Sequence, residues 1–291
     1  TSAFAAEPGI YNEEQIEGWK LTTKAVHDKG GKIFLQIWHA GRAAHPDLNG
    51  GAANYSASAI AIDDVVHTPN GKVAHVVPQE LSVEQIQQIV QQFAQAAKNA
   101  IAAGFDGVEV HAANGYLIDQ FLRDGANQRT DAYGGSFENR ARFLSEVLTA
   151  VSEAIGSDRV GVRLSPLNSY NSMKDSNPIG LIDYLSKHLN SFNLAYLHVM
   201  RADFFQAQTG DVMSVARANY QGVLIGNMGY SGAEAEQAIK DGLLDAVAFG
   251  TGFLANPDLP VRLREGAALN APDQSTFYTP GAKGYTDYPT L

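Results

Sequence analysis

Gly107-Val108-Glu109-Val110-His111-Ala112-Ala113-Asn114-Gly115-Tyr116 reads as a short strand that breaks at once into a polar turn. Val108 and Val110 alternate with Glu109 and His111, so one face is apolar and the other carries a carboxylate and an imidazole. Five further runs share this form: Ile33 to Trp38, Val160 to Leu164, Tyr196 to Val199, Val223 to Ile225 and Ala246 to Phe249. Their length and β-branched content predict buried parallel strands rather than helices. Gln36 shares a face with Trp38, and Arg163 lies on the face opposite Val160, Val162 and Leu164.

Helices are predicted between these strands. Ser82 with Gln85 three residues on forms a capping box that opens an apolar stripe of Val83, Ile86, Ile89, Val90, Phe93 and Ala97, closed by Gly104. Ser231 and Glu234 repeat the box ahead of Ala235 and Ile239, with a stop at Gly242. A third helix runs from about Ser136 to Gly156, and an earlier one follows Asn12 and ends at Gly30-Gly31. Strand alternating with helix makes an α/β protein. Inward polar groups near the carboxyl ends of the strands, followed by Gly- and Asn-rich loops, favour a (β/α)8 TIM barrel, with an open doubly wound sheet as the alternative.

Such a barrel needs eight strands and six are found, so about six of the eight βα units are expected in a single domain over residues 1–291. Pro257, Pro260, Pro272, Pro280 and Pro289 interrupt the tail, which places the missing pair before residue 1. An unclosed barrel would leave two unpaired edges. The expectation is therefore a piece of a larger enzyme, with the leading strands supplied by a second polypeptide, or association with further copies of the chain.

Composition narrows the function. The chain has 291 residues with 21 Lys+Arg against 31 Asp+Glu, a net charge of −10, and no basic block to hold a nucleic-acid backbone. It has no cysteine, which excludes a disulfide frame, a thiolate nucleophile and a Cys-ligated metal. No apolar run approaches the roughly 20 residues that span a bilayer, so the expectation is a soluble cytoplasmic protein that contacts no membrane. The eight histidines are scattered without an HExxH, and no catalytic metal is expected.

The turn after the first quoted strand brings imidazole, carboxamide and phenol within a few residues: His111, Asn114 and Tyr116. Two hydrogen bonds to a carbonyl oxygen would draw electron density from an attached alkene, and a phenol, with an unperturbed pKa of about 10, can release a proton late in a reaction. The same residues also suit a satisfied strand-end histidine with loop-packing neighbours. The polar stretch Arg123 to Arg140 reads as a functional loop or as a brace for the helix that follows, and structural roles are assigned to it. Gly226-Asn227-Met228-Gly229 and Gly250-Thr251-Gly252 each follow a strand; such turns expose backbone N–H groups and can hold a phosphate or serve only as tight turns. No GxGxxG, Walker loop or GxSxG is present. A metal-free hydrolase or lyase using Glu109 or Asp203 remains as an alternative chemistry.

Taken together, these segments resemble the Old Yellow Enzyme family of flavin-dependent ene-reductases, from about Pro8 to Pro289. The most specific pieces are Leu35-Gln36-Ile37-Trp38-His39-Ala40-Gly41-Arg42, the turn from His111 to Tyr116 with the following Arg129 to Ser136, and Phe249-Gly250 before Asn256-Pro257-Asp258-Leu259. The resemblance implies a TIM barrel holding FMN non-covalently at its mouth, reduced by NADPH and reoxidised by an α,β-unsaturated carbonyl compound or a nitroalkene. It implies Gln36 at the flavin pyrimidine edge and Arg163 at N1 and O2. It also implies His111 and Asn114 on the substrate carbonyl oxygen, hydride delivery to the β-carbon, and Tyr116 as proton donor to the α-carbon. Trp38 and Tyr278 would wall the pocket, and Gly226, Asn227, Gly250 and Thr251, with Phe277 nearby, would hold the FMN phosphate. An assembly-dependent or inactive fragment of such an enzyme is the second reading.

One departure bears on the cofactor. Many family members carry an arginine where this chain has Thr251, so a hydroxyl and N–H groups must replace a cation, and weaker FMN retention is expected.

Overall fold

The longer helices begin where a short polar side chain satisfies an otherwise orphaned N–H group. Asn12 Oδ1 accepts from Gln15 N at 2.9 Å to open α1 (Glu13–His27). The complete Ser82–Gln85 capping box opens α2 (Val83–Ala102), and the sequence-predicted end at Gly104 has φ +89. A Cβ on Gly104 would stand 2.8 Å from the Thr23 hydroxyl of α1, so this terminus needs glycine for both its conformation and its space.

The computed structural model describes residues 2–5 and 7–291, which form two units, one reaching to Leu224 and the other covering Ile225–Leu291. In the first unit α1 leads to β1 (Phe34–Ile37). A long connection follows that carries β2 (Tyr55–Ser56), the hairpin strands β3 (Val65–Thr68) and β4 (Gly71–Ala74), and β5 (Gln79–Glu80). After α2 come β6 (Gly107–Ala112), α3 (Leu117–Leu122), α4 (Phe137–Ile155), β7 (Val160–Leu164), α5 (Pro178–His188), β8 (Tyr196–Met200) and α6 (Val212–Asn219). Strands β1, β6, β7 and β8 pair in that order and all in parallel. Strand β2 pairs with β5 in parallel, and β3 with β4 antiparallel.

The parallel register aligns side chains in rungs. Gln36, Glu109, Gly161 and Tyr196 share one rung, and His111, Arg163 and His198 share another two residues closer to the carboxyl ends. Gly161 has no side chain because the Tyr196 ring occupies that space, and a Cβ there would run into the ring. The opposite face supplies the core: Val108, Val110, Val160, Val162, Leu197 and Val199 are all fully buried. Against them lie α2 and α4, with Ile86, Val90, Phe93, Phe143, Val147 and Val151 inward. That inward stripe is the one the i, i+3, i+4 spacing predicts for α2.

The second unit begins within β9 (Leu224–Asn227) and continues through α7 (Gly232–Lys240), β10 (Ala246–Val247), α8 (Thr251–Ala255) and α9 (Leu259–Glu265). Strands β9 and β10 pair in parallel, with Ala246 opposite Ile225 and Val247 opposite Gly226. The second predicted capping box, Ser231–Glu234, is complete.

Two strands differ from the sequence reading by two residues at one end, the others by at most one. Val223 is 45% exposed and precedes β9, which instead extends to Asn227. Strand β10 stops at Val247, and a further bond, Ala248 N–H to Gly226 O at 2.9 Å, continues the pairing. Among the described residues no helix is long and apolar enough to cross a membrane.

Candidate active site

Strand β6 ends at Ala112, and the chain then turns sharply through Asn114 (φ 56) and Gly115 (φ 76) into α3. Two consecutive left-handed residues make this reversal, which asparagine and glycine tolerate best. At Gly115 a Cβ would lie 2.6 Å from Asn171 Cβ and 2.7 Å from Met173 Cγ, so the turn is packed as well as bent. Three rings gather around it. Trp38 and Tyr116 meet edge to face with centroids 4.4 Å apart, and His111 lies 5.1 Å from Tyr116 and 6.4 Å from Trp38. Tyr116 and Trp38 also join a small apolar cluster with Ala40, Ala43, Ala44 and Ile62.

The polar ends of His111 and Asn114 are oriented by their neighbours. Ala113 N–H donates to His111 Nδ1 at 3.2 Å, so this nitrogen is an acceptor and the ring proton sits on Nε2. Burial drives the His111 pKa down to about 3, with the nearby Arg163 cation acting in the same direction, and the ring is neutral at physiological pH. Asn168 Nδ2 donates to Asn114 Oδ1 at 2.9 Å, which leaves the Asn114 Nδ2 end as a donor. Ser165 Oγ accepts the Asn114 N–H at 2.7 Å, and Asn171 Nδ2 donates to the Asn114 carbonyl at 2.9 Å. His111 and Asn114 thus each have their acceptor atom occupied and an N–H donor left over.

Below this turn the two polar rungs are joined through Glu109. Its carboxylate accepts from Gln36 Nε2 at 2.6 Å and pairs with His198 Nδ1 at 2.9 Å. Burial alone would raise the Glu109 pKa, but His198, Gln36 and the Arg163 charge outweigh it and hold the carboxyl below its ordinary value. Because the Gln36 amide group donates to Glu109, its oxygen is left as the acceptor end. Arg163 Nε and His198 Nε2 are buried and have no hydrogen-bond partner among the described residues. A buried guanidinium nitrogen without a partner is costly unless a ligand completes it. A carbonyl-rich, hydrogen-bonding ring edge such as the flavin pyrimidine fits this set: an acceptor on Gln36, a cation on Arg163.

In the second unit Gly226 and Asn227 end β9, and Asn227 Oδ1 is buried without a partner among the described residues. Gly250 precedes α8, is exposed, and has open space where a Cβ would be; Thr251 is exposed as the first residue of that helix. Phe277 is half-buried, whereas Tyr278 is 85% exposed with φ 62, and its N–H donates to the Tyr285 hydroxyl at 2.9 Å.

The carboxylates of the hydrolase alternative are both occupied. Asp203 accepts from Ser169 N and Oγ and from the N–H groups of Phe205, Ala207 and Gln208, which makes it the organiser of its own loop. Glu109 is held as described. The Arg123 to Arg140 stretch is a brace: Arg129 Nη1 donates to Ala57 O at 3.2 Å and Leu81 O at 2.7 Å, and Arg140 pairs with Asp175 at 2.6 Å. Sequence reasoning did not find the Glu109–His198 link, nor Ser165, Asn168 and Asn171, which fix Asn114. Only proximity in the fold reveals these, since they lie on separate strands and loops.

The comparisons agree with one another. The sequence profile of the NADH:flavin oxidoreductase / NADH oxidase family matches residues 1–270. The chain is 52% identical over 296 residues to a probable flavin mononucleotide-dependent alkene reductase of Leishmania infantum, covering all of this chain and 81% of that protein. It is 43% identical to 12-oxophytodienoate reductase 1 of Oryza sativa subsp. japonica, covering 99% of this chain and 77% of that one. The solved structure of the old yellow enzyme from Trypanosoma cruzi superposes with a TM-score of 0.95 at 43% identity, over 99% of this chain and 82% of that chain. Morphinone reductase gives a TM-score of 0.94 at 43% identity, over 100% of this chain and 81% of that chain. The fold class is therefore the α/β TIM barrel of these enzymes and not an open doubly wound sheet. From the profile, the relatives and the superpositions alike, the chain belongs to the FMN-dependent Old Yellow Enzyme family of flavin oxidoreductases.

Proposed function

We propose that this protein is an FMN-dependent ene-reductase that takes its reducing equivalents from NADPH and saturates the activated double bond of α,β-unsaturated carbonyl compounds and nitroalkenes. The observation that carries the reading is the pair of leftover donors. His111 Nδ1 and Asn114 Oδ1 are both taken as acceptors, so both side chains present N–H groups, the complement of a carbonyl or nitro oxygen. When bound, FMN supplies the two-electron carrier between the nicotinamide and the alkene.

His111 and Asn114 donate to the substrate oxygen and draw density away from the alkene, which makes its β-carbon electrophilic. A neutral His111 suits this role, because an N–H donor held in place needs no proton uptake during the reaction. Tyr116 gives its phenolic proton to the α-carbon. Trp38 walls the pocket by its edge-to-face contact with Tyr116. Gln36 Oε1 would accept from the pyrimidine edge of FMN, where the Arg163 guanidinium would supply a fixed positive charge. Gly226, Asn227, Gly250 and Thr251 would hold a phosphate, with Phe277 beside them.

Tyr116→Phe tests the assignment. It removes one oxygen and keeps the ring contacts, so reduction by NADPH should stay within about twofold while the alkene half-reaction slows by about a hundredfold or more. Stopped-flow absorbance separates the two half-reactions, and equal slowing of both would overturn the role.

A further inference from the structure

Gln120 lies in α3, is fully buried, and spends every hydrogen bond its amide can make. Nε2 donates to Gly115 O at 2.7 Å and to Ala40 O at 3.3 Å. Oε1 accepts from Arg42 N–H at 3.1 Å and from the Ser56 hydroxyl at 2.8 Å. Two donors and two acceptors are the whole capacity of a carboxamide, and the reversed orientation would set each end against a group of its own kind. The side chain therefore has one satisfied orientation.

Its partners belong to three different segments. Ala40 and Arg42 follow Trp38 on the loop after β1, Gly115 sits between Asn114 and Tyr116, and Ser56 is on β2. Gly41 makes room for this arrangement: it has φ +61, and a Cβ there would collide with the Gln120 amide. A second tie runs parallel to the first, from Leu117 N–H to His39 O at 3.0 Å. Asp119, one residue earlier, takes the Gly115 N–H at 2.8 Å, so neighbouring side chains of one helical turn hold both polar groups of Gly115.

We propose that Gln120 is a positioning residue that sets the Tyr116 hydroxyl against the pocket wall at Trp38 by tying the loop after β1 to the turn that bears Tyr116. This rests on the ene-reductase reading for its kinetic consequence but not for its structural one. A displacement of a reacting group by about 1 Å can cost up to a hundredfold in rate, and loss of the tie acts on the proton donor without touching either reactant.

Gln120→Met keeps the length and removes all four bonds. In the FMN-loaded enzyme the alkene half-reaction should slow by about tenfold or more, with a larger solvent deuterium isotope effect, while reduction by NADPH changes by less than about twofold. In a Tyr116→Phe background the same substitution should add little, because both changes act through one proton transfer. Equal slowing of both half-reactions, or full additivity with Tyr116→Phe, would overturn the proposal. A second readout needs no turnover: 3-fluorotyrosine placed at position 116 of the full chain should show a shifted, broadened fluorine resonance in Gln120→Met, with or without FMN. An unchanged resonance overturns the proposal. If instead the resonance moves but the parent enzyme reduces no activated alkene, the tie stands and the ene-reductase reading fails. Should Gln120→Met not fold, Ser56→Ala removes one partner and is expected to move the resonance in the same way; no movement would again overturn the proposal.

Discussion

His111 and Asp119 are both buried, at 5% and 2% exposure, and their shifts pull stability in opposite directions with pH. Burial lowers His111 from 6.5 to about 3, so between these values the unfolded chain binds a proton that the native site refuses, and stability rises with pH. Burial also raises Asp119 from 3.8 to about 6, although Arg123 Nη1 lies 3.8 Å away. Across that range the native state holds the extra proton, and stability falls as pH rises. The two terms oppose each other between about pH 4 and 6, each worth about 1.4 kcal/mol per pH unit. Asp119→Asn should therefore make the stability–pH slope more positive than in the parent protein over this window, and His111→Gln should make it more negative. Urea titrations at pH 4.5, 5.25 and 6 measure both; slopes that match the parent would show that neither group titrates as buried.

Among the elements, the six strands of the α/β alternation and the helices opened by Asn12, Ser82, Ser136 and Ser231 were legible because each is specified locally. Ser82 and Ser231 announce their helices through a side chain three residues away, and the valines of β6 and β7 alternate without help from elsewhere. The hairpin Val65–Ala74 was not read, since it is short and Val65 is 49% exposed, so no apolar pattern marks it. Helix α3 was missed for another reason: all six of its residues are buried, which erases the polar face that periodicity depends on. Its Asp119-Gln120 pair inside an apolar run was the available signal, because two polar side chains in so apolar a segment need partners. The brace before α4 was foreseen in kind but not in wiring. Arg140 and Asp175 are each 4% exposed and pair at 2.6 Å, so Arg140→Ala would leave a carboxylate buried without its cation. A loss of about 3–5 kcal/mol is expected by urea unfolding, and a loss below about 1 kcal/mol would show the pair to be dispensable.

At the scale of the whole molecule, inward polar groups near the carboxyl ends of the strands and the Gly- and Asn-rich loops after them led to a barrel, and the superposition on two solved relatives bears this out. What composition could not supply was the choice between chemistries, because Glu109 and Asp203 look alike in sequence and differ only in which groups surround them. Cofactor affinity belongs to this scale as well. Thr251 is exposed and brings no charge, so Thr251→Arg should tighten FMN binding, as read by quenching of flavin fluorescence; equal affinity in the two proteins would count against a phosphate site there. Saturating FMN should also protect the fold, by about 2.7 kcal/mol at a hundredfold excess over Kd. The saturated Gln120 amide has a bearing on engineering. Libraries that vary residues 39–42 to widen substrate scope should also disturb Tyr116, the proposed acid, on the far side of that amide. Selectivity and turnover should then trade off together in screening, and the best variants should carry compensating changes in α3.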